Sequence, residues 1–367
     1  MFSDLDYFFM SKVLGLAERY KHKTFPNPAV AALVVQKNQI IARGLHKGPG
    51  TIHAEREALN KAGAKASGST LYVNLEPCCH FGRTPPCTDI IISSKVKRVV
   101  YSIVDPNPLV NKKATKILKK RGIEVEKGLM DRQAYLINEP FFIAQLLNRP
   151  LISLKLATSM DGFIADRNAK SKWITGEKAR KQVHHIRSQH KAILVGNNTL
   201  RQDNPSLTVR GIKESSPVKV IIDPKNKLSK ELNVFKHPPV LLLCSKKPAF
   251  PVNYQICSNF KLENLLFVLL TKFQIGSLLV EGGSRLISSF LKHNLFDYFY
   301  HFIAPFPLSK GIKMCRGNYC LDTHPVLTLE KSTVFDNDIM LKYKNKNQPL
   351  EIKKGVCLLA SLKKSEK

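Results

Sequence analysis

The sequence lacks the features that mark secreted, membrane-spanning or disulfide-stabilised proteins. Its longest apolar runs, such as LLFVLL, are far shorter than the roughly 20 residues that a membrane-spanning helix needs. Its eight cysteines are spread over 367 residues, unlike those of a small disulfide scaffold. Its first residues, MFSDLDYFFM, do not show the basic segment followed by an apolar one that marks a signal peptide. We therefore expect a cytoplasmic protein with no membrane partner.

Acidic residues are also scarce, because 28 Asp and Glu stand against 58 Lys and Arg and leave a formal net charge of +30. Such a charge favours a polyanionic partner or a phosphorylated substrate. The lysines are nevertheless scattered from end to end, which is more typical of a solvated surface. The charge alone therefore identifies no partner.

The periodicity of apolar residues predicts an α/β protein with two domains. In the first third of the chain the patterns follow the order α-β-β-α-β-α-β-α-β, which describes a three-layer domain. A helical segment over 131–147 leads to NRP, a natural boundary. Beyond it, strands such as LISLKLATS, KAILVG and SLLVEGG alternate with helices, which predicts a mostly parallel, doubly wound sheet. The predicted domains are 1–147 and 148–343, followed by a basic tail over 344–367.

One histidine and three cysteines form the pattern of a zinc site. The segment HAE places His53 at the start of a helix, and LEPCCHFGRTPPC follows with Cys78, Cys79 and Cys87. A catalytic zinc takes three nitrogen or sulfur ligands and keeps one position open for water, and a helix N-terminus stabilises a thiolate. Glu55, two residues after His53, can reach that water without binding the metal. A hydrolytic deaminase needs such a combination of three metal ligands and a separate proton carrier.

The choice among the cysteines follows from their spacing. Zinc deaminases carry H-x-E followed by P-C-x-x-C, but here eight residues separate Cys78 from Cys87. Because the ligand directly follows proline in that pattern, we predict that Cys78 and Cys87 bind zinc with His53 and that Cys79 does not. His80 is a spare ligand in one alternative, although we expect it to line the substrate pocket. A cluster of structural cysteines is the other alternative, and the accompanying H-x-E argues against it.

Several segments together resemble the bifunctional deaminase–reductases of riboflavin biosynthesis. They are PNPAV, HAE, LEPCCHFGRTPPC and DPNPLV in the first half and KLATSMDG, WITG, DNPSLTVR, VIID and VEGG in the second, and they cover about 5–343. The resemblance implies an N-terminal cytidine-deaminase-like three-layer domain with zinc. It also implies a C-terminal dihydrofolate-reductase-like doubly wound domain with NADPH as hydride donor.

The resemblance also implies the reactions. The first domain would remove the 2-amino group of 2,5-diamino-6-ribosylamino-4(3H)-pyrimidinone 5′-phosphate. The second would reduce the ribosyl group of the product, 5-amino-6-(5-phosphoribosylamino)uracil, to ribityl. In the first domain the family pattern makes Asn27, Arg83, Asp105 and Asn107 substrate-binding residues, with Arg83 near the phosphate. Turn formation beside proline is the alternative role for Asn27 and Asn107.

The second half lacks a G-x-G-x-x-G segment after a strand, so a Rossmann dinucleotide site is not supported. In LLVEGGSRLI a strand instead ends in two glycines, and a helix begins directly after them. The backbone N–H groups at the start of such a helix can bind phosphate. A simple tight turn is the alternative interpretation of this segment. The residues that the resemblance assigns to the cofactor are Thr158, Trp173, Thr199, Asp203, Gly283, Ser284, Arg285, Leu286 and Ile287. Those that it assigns to the substrate are Lys155, Ser171, Arg187, Asp203, Leu207, Arg210 and Glu281.

Two points of the reductase chemistry can be argued from residue type. Arg187 and Arg210 suit a substrate with a phosphate, because guanidinium groups bind oxyanions through paired hydrogen bonds. The reduction also needs a proton donor or a charge that stabilises an iminium, and Lys155, Asp203 and Glu281 are candidates that the sequence does not rank.

Two other classes of function compete with this interpretation. A nucleic-acid deaminase, such as a tRNA deaminase with a basic RNA-binding second domain, would explain the charge, but Lys and Arg are not clustered with aromatic residues. A zinc-binding scaffold without activity is disfavoured by Glu55, because structural zinc sites fill the fourth position with a ligand. We expect small phosphorylated pyrimidines as substrates and no nucleic-acid partner. The oligomeric state stays open, with a homo-oligomer formed through the reductase domain as one alternative.

Overall fold

The computed structural model describes residues 1–21, 23–82, 85–212, 216–317, 325–346, 350–353 and 355–359. Arg83, predicted to bind the substrate phosphate, lies outside these residues. The contacts divide the chain into two compact units. The first comprises Met1–Asn148 and Pro349–Lys367, and the second comprises Arg149–Gln348. Within the described residues, no helix has both the length and the apolar content needed to cross a membrane.

The first unit is built on a five-stranded sheet with the strand order β2-β1-β3-β4-β5. These strands are β1 (Ala31–Gln36), β2 (Gln39–Leu45), β3 (Thr70–Leu75), β4 (Arg98–Ile103) and β5 (Glu124–Lys127). Its helices are α1 (Asp4–Glu18), α2 (Ala54–Ala62), α3 (Cys87–Ser93), α4 (Lys113–Lys120) and α5 (Asp131–Leu147). β1 is antiparallel to β2 and β3, whereas β3, β4 and β5 are parallel.

Helices cover the sheet in the three-layer arrangement that the sequence predicts. α1 and α5 contact each other and the central strands, while α2 contacts β1, β2 and α3. The tight connection between β1 and β2 uses Lys37 and Asn38 with φ values of 47° and 59°, as a two-residue hairpin turn requires. The residues of β1 from Ala31 to Val35 are all buried, so both faces of the sheet carry apolar cores.

The end of the chain also belongs to the first unit. β17 (Leu350–Lys353) and β18 (Val356–Leu359) form an antiparallel hairpin, and β18 contacts α5. Periodicity did not reveal this hairpin, because its two strands are only four residues long and lie in a lysine-rich segment that we treated as a basic tail.

The second unit contains a nine-stranded sheet with the strand order β11-β10-β9-β8-β12-β6-β13-β16-β15. Its strands are β6 (Leu151–Ser159), β8 (Ala192–Gly196), β9 (Val218–Ile222), β10 (Val240–Cys244), β11 (Asn253–Ile256), β12 (Ser277–Glu281), β13 (Tyr298–Ala304), β15 (Leu327–Phe335) and β16 (Asp338–Asn345). β7 (Phe163–Asp166) and β14 (Gly311–Lys313) pair separately. The helices are α6 (Glu177–Ser188), α7 (Asn197–Asp203), α8 (Leu262–Thr271) and α9 (Ser284–Lys292).

The predicted parallel sheet is confirmed. All neighbours from β11 to β13 are parallel, and only the two pairs at one edge, β13 with β16 and β16 with β15, are antiparallel. Successive side chains of β12 enter different cores: Leu278 and Val280 pack in one cluster, and Leu279 packs in the other. Both faces are therefore covered by apolar residues, which explains the continuous apolar runs of the sequence.

Candidate active sites

Three predicted metal ligands meet between two helix N-termini in the first unit. His53 caps α2, Cys87 is the first residue of α3, and Cys78 follows β3 after a short bend. His53 Nδ1 lies 3.3 Å from Cys87 Sγ and 3.4 Å from Cys78 Sγ. The position of His53 depends on Gly44 of β2, because a Cβ there would lie 1.9 Å from the carbonyl oxygen of Ala54. Only glycine allows α2 to begin this close to the sheet.

The donor set fits zinc. The three ligand atoms lie within 4.8 Å of one another, and they are one imidazole nitrogen and two sulfurs. A tetrahedral zinc with ordinary Zn–N and Zn–S bonds places such atoms about 3.6 Å apart, close to the observed separations of His53 Nδ1. Cys79 lies outside this group, with its Sγ 3.6 Å from the carbonyl oxygen of Leu109. Cys78 therefore belongs to the candidate ligand group of the described residues, and Cys79 does not.

The electrostatics also favour a thiolate at this point. The hydrogen bond with the Cys87 thiol, aided by His53, lowers the pKa of Cys78 to about 4 against the opposing effect of burial. The Cys87 backbone N–H donates a further hydrogen bond to Cys78 Sγ at 3.2 Å. The pKa of Cys87 is raised by the same thiol pair and by burial, so binding of a metal here must release a proton from Cys87.

Glu55 lies beside the ligands in the first turn of α2. Its side chain is buried, with the residue only 4% exposed. Burial, with the negative charge of Cys78, raises the pKa of Glu55 to about 7. A carboxyl group with this pKa can both accept and donate a proton near neutral pH.

A second histidine, which the sequence analysis did not identify, supports the site. The rings of His46 and His53 meet edge to face with their centroids 5.5 Å apart. His46 Nδ1 contacts the carbonyl oxygen of Ile52 at 3.1 Å, and its Nε2 lies 2.9 Å from Asn27 Nδ2. Because a carbonyl only accepts, Nδ1 carries the proton and Nε2 accepts from Asn27. Burial lowers the pKa of His46, so its ring is neutral.

The remaining predicted residues of this unit follow β4. Asp105 is 9% exposed, and burial, with the nearby charges of Glu76 and Cys78, raises its pKa to about 7. The Asp105 carboxylate accepts from the Asn107 N–H at 2.8 Å, and Asn107 Oδ1 accepts from the Leu109 N–H at 3.0 Å. The carbonyl end of Asn107 is thus engaged in a turn, as the alternative role predicted.

The second unit contains a cavity of about 1180 Å³. It lies along the carboxyl ends of four neighbouring strands, β6, β12, β8 and β9, which is where parallel sheets bind ligands. Thirteen of the residues predicted for cofactor and substrate line it: Lys155, Ser171, Trp173, Arg187, Thr199, Asp203, Leu207, Arg210, Glu281, Gly283, Ser284, Arg285 and Leu286.

Two predicted cofactor residues do not line the cavity. Thr158 is 1% exposed, and its hydroxyl contacts His301 Nε2 at 2.9 Å. Ile287 is fully buried in the apolar core behind α9. Their side chains therefore serve the packing around the cavity.

A buried ion pair forms one wall of this cavity. Arg187 binds Glu281 through two hydrogen bonds of 2.6 and 2.9 Å and donates a third to the carbonyl of Thr208 at 3.1 Å. Burial alone would raise the pKa of Glu281, but Arg187 outweighs it and holds that pKa well below its usual range. Lys155 pairs in register with Glu281 on the adjacent strand, and burial lowers its pKa.

The N-terminus of α9 forms another part of the wall. The Gly283 N–H donates to Thr199 Oγ1 at 3.1 Å, which joins α9 to α7. The hydroxyl oxygen of Ser284 is buried and has no hydrogen-bond partner among the described residues. A buried hydroxyl without a partner beside the free N–H groups of a helix start is suited to an anionic ligand. Trp173 is 68% exposed at the cavity, with Arg180 stacked 4.5 Å from its ring centroid.

Two family models match the chain. The model of the cytidine and deoxycytidylate deaminase zinc-binding region matches residues 3–103, and the model of the RibD C-terminal domain matches residues 150–341. Riboflavin biosynthesis protein RibD of Aquifex aeolicus (strain VF5) is 42% identical over 324 residues, which cover 86% of this chain and 91% of that protein. The RibD protein of Escherichia coli (strain K12) is 36% identical over 321 residues, 82% and 88% of the two chains. This chain belongs to the RibD family.

Solved structures of the RibD family agree with this assignment. Acinetobacter baumannii RibD, form 2, has a TM-score of 0.83 at 33% identity and covers 94% of this chain and 100% of its own. A Thermotoga maritima protein, a diaminohydroxyphosphoribosylaminopyrimidine deaminase/5-amino-6-(5-phosphoribosylamino)uracil reductase, has a TM-score of 0.82 at 34% identity and covers 93% and 99%. The predicted family and fold class are therefore confirmed.

Membership of the RibD family establishes the type of function. The chain is a bifunctional enzyme of riboflavin biosynthesis with a zinc-binding deaminase unit and a reductase unit that takes a nicotinamide cofactor. The alternative of a nucleic-acid deaminase is not favoured, because the second half matches the RibD C-terminal domain.

Proposed function

We propose that the first unit hydrolyses 2,5-diamino-6-ribosylamino-4(3H)-pyrimidinone 5′-phosphate at its 2-amino group and releases ammonia. The second unit then reduces the ribosyl group of 5-amino-6-(5-phosphoribosylamino)uracil to ribityl with NADPH. The observation that carries the first step is the group of His53, Cys78 and Cys87 beside a buried Glu55. The Thermotoga maritima relative is named for the same two reactions.

In the deaminase step, His53, Cys78 and Cys87 would hold zinc, which supplies a Lewis acid that activates water at neutral pH. Glu55 accepts a proton from the attacking water and passes it to the ring nitrogen next to the amino-bearing carbon. It then delivers a second proton to the departing amine, so that water and substrate give the keto product and ammonia. Asn27, held by His46, orients the pyrimidine ring.

Three further residues would complete the deaminase pocket. Asp105 and Asn107 follow β4 and would contact the substrate, with the amide nitrogen of Asn107 left for the ligand because its oxygen is engaged in the turn. Arg83 remains our candidate for binding the phosphate, on the family pattern alone.

In the reductase step, the substrate would bind near Lys155, Arg187 and Glu281. Opening of the ribose ring needs hydride at the carbon bonded to the amine and a proton on the ring oxygen. Because the low pKa of Glu281 keeps it ionised, we assign the proton to Lys155, whose buried ammonium has a lowered pKa. The carboxylate of Asp203 accepts a hydrogen bond of 2.5 Å from the Ser171 hydroxyl and would orient that hydroxyl toward the substrate. Arg210 and Leu207, which also line the cavity, would contact the same part of the substrate.

NADPH would extend from β6 and β12 toward β9. Its pyrophosphate would bind at the start of α9, where Ser284 and the backbone of Gly283 face the cavity. Three further cations line the cavity: Arg201 in α7, and Lys225 and Lys227 just after β9. They would hold the adenosine end of the cofactor. Their positive charge favours the 2′-phosphate that distinguishes NADPH from NADH.

Metal analysis of three variants tests the zinc assignment. Cys78→Ser and Cys87→Ser should each lose most bound zinc, whereas Cys79→Ser should keep both zinc and ammonia release, because Cys79 lies outside the ligand group. An empty site in Cys79→Ser together with retained zinc in Cys78→Ser would show that the ligand assignment is off by one residue. Ammonia released from the pyrimidine phosphate but not from tRNA would separate the proposed activity from the nucleic-acid alternative.

We also propose that the enzyme works in the cytoplasm on small molecules. Cys78, Cys79, Cys87, Cys244, Cys257 and Cys315 form no disulfide within the described part of the chain, which suits a reducing compartment.

A further inference from the structure

The turn of the C-terminal hairpin lies against the end of β4. The carbonyl oxygen of Gly355 accepts a hydrogen bond of 2.7 Å from the Val104 N–H, and the Gly355 N–H donates one of 2.8 Å to Asp131 Oδ2 at the start of α5. The next residues, Val356 and Cys357, are 8% and 5% exposed and pack in the core of the first unit. The hairpin is therefore an integral part of the deaminase unit.

The hairpin contacts the part of the chain after β4 that β5 does not pair with. β5 pairs with β4 only from Arg98 to Tyr101. Val104 lies three residues farther along and is 1% exposed, and it is Gly355 that accepts its N–H. A buried N–H without an acceptor destabilises the fold. The hydrogen bond to Gly355 therefore helps to fix the backbone that follows β4.

Only glycine fits at this turn. Gly355 has a φ of +73°, and a Cβ there would lie 2.8 Å from Gly128 Cα and 3.1 Å from the carbonyl oxygen of Ser102. Since all of these neighbours are backbone atoms, a side chain at Gly355 would push the turn away from Val104.

Val104 directly precedes Asp105, whose carboxyl lies near enough to Cys78 and Glu55 for their charges to act on it. We propose that the hairpin turn is a positioning element of the deaminase, in which Gly355 fixes Val104 and thereby aims Asp105 at the substrate. The inference rests on the proposed role of Asp105 in binding the pyrimidine. It adds to that role a requirement for a segment located more than 200 residues later in the chain.

Gly355→Ala in the full-length enzyme tests the inference. The KM for deamination should rise about tenfold, the effect of one lost buried hydrogen bond, while zinc content and the KM of the reductase change little. Gly122→Ala is the matched control, because Gly122 lies in the same unit at a φ of +74° but a Cβ there meets no atom within 4 Å. This control should leave the KM of both reactions unchanged.

A second pair of variants tests the same contact from its other side. Asp131→Ala removes the acceptor of the Gly355 N–H and should raise the deamination KM, whereas Asp131→Asn keeps an acceptor oxygen and should restore it. A lower kcat with an unchanged KM in both Gly355→Ala and Asp131→Ala would overturn the inference, since it would indicate only a smaller active fraction. Wild-type enzyme that releases no ammonia from the pyrimidine would refute the proposed function itself.

Discussion

Glu55→Gln is the sharpest test of the deaminase chemistry. Glutamine has nearly the same shape as glutamate but cannot carry a proton between groups. General acid–base catalysis contributes about 10²- to 10⁴-fold to a rate, and in the proposed mechanism Glu55 serves two proton transfers. We therefore expect deamination to fall by about 10³-fold or more, equivalent to about 4 kcal/mol of transition-state stabilisation.

The structure indicates that this loss should occur without loss of the metal. Glu55 is not among the three residues that form the ligand group, and it lies in the first turn of α2, which starts at His53. Replacing a buried carboxyl whose pKa is about 7 by a neutral amide removes about half a unit of negative charge at neutral pH and no ligand atom. Zinc content of the variant, measured on the purified protein, should therefore equal that of the wild type.

Glu57→Gln provides the matched control on the same helix. Glu57 forms an ion pair with Lys61 at 2.6 Å and accepts from the Leu45 N–H at 2.7 Å, so it supports α2 without reaching the ligands. Its replacement should change stability by about 1 kcal/mol and leave ammonia release nearly unchanged. Loss of zinc in Glu55→Gln would instead identify Glu55 as a ligand, and full activity would exclude it as the proton carrier.

Three further predictions concern the reductase unit. Replacing Lys225 and Lys227 together by alanine should weaken NADPH binding about tenfold or more and leave NADH binding unchanged, as measured by titration, because each cation facing a phosphate contributes about 1 kcal/mol or more. Burial lowers the pKa of His190 from 6.5 to about 4. Its neutral ring therefore contributes fully to the free energy of unfolding above pH 6.5, and up to about 3 kcal/mol of that free energy is lost as the pH falls from 6.5 to 4. Urea unfolding at several pH values, followed by Trp173 fluorescence, should show this decrease in stability. His190→Gln should make the decrease smaller. A fragment of residues 149–348 should fold, bind NADPH without zinc and reduce the deaminated substrate, and a chelator should stop only deamination in the full chain.

Each of the three predictions for the reductase unit has a control or a result that would contradict it. Lys230→Ala changes an exposed lysine outside the cavity lining and should not affect either cofactor; equal weakening of NADPH and NADH by the double variant would exclude a 2′-phosphate site. An unchanged pH slope in His190→Gln would contradict the effect of burial on that ring. A folded fragment that does not bind NADPH would contradict an independent reductase site.

Most of the secondary structure that positions the two sites could be predicted, because it rests on local signals. The helix over 131–147 has the bounds predicted from periodicity, and the strands of the parallel sheet appear as continuous apolar runs. The group of His53, Cys78 and Cys87 could be predicted because the H-x-E spacing and the proline before Cys78 are local signals. The choice of Cys78 over Cys79 rests on that single proline and stays a prediction.

The features that were missed depend on contacts between distant segments. His46 has no motif around it, and its role follows from an edge-to-face contact with His53 and a hydrogen bond with Asn27. β15 was missed because most of its residues are exposed, so that no apolar pattern marks it. Thr158 and Ile287 were assigned to the cofactor by family position, which does not reveal that their side chains face the packed interior.

Because the end of the chain belongs to the first unit, the ribosome completes the second unit before the first. Residues 149–348 are translated after Asp105 and before Gly355. At about 5–20 residues per second this interval lasts roughly 10–40 s, during which the Val104 N–H has no Gly355 carbonyl to bind. We therefore expect the reductase unit to fold on the ribosome before the deaminase unit is complete. A chain whose synthesis stops before Gly355 would then contain a complete reductase unit and a deaminase unit that lacks the hydrogen bond between Val104 and Gly355.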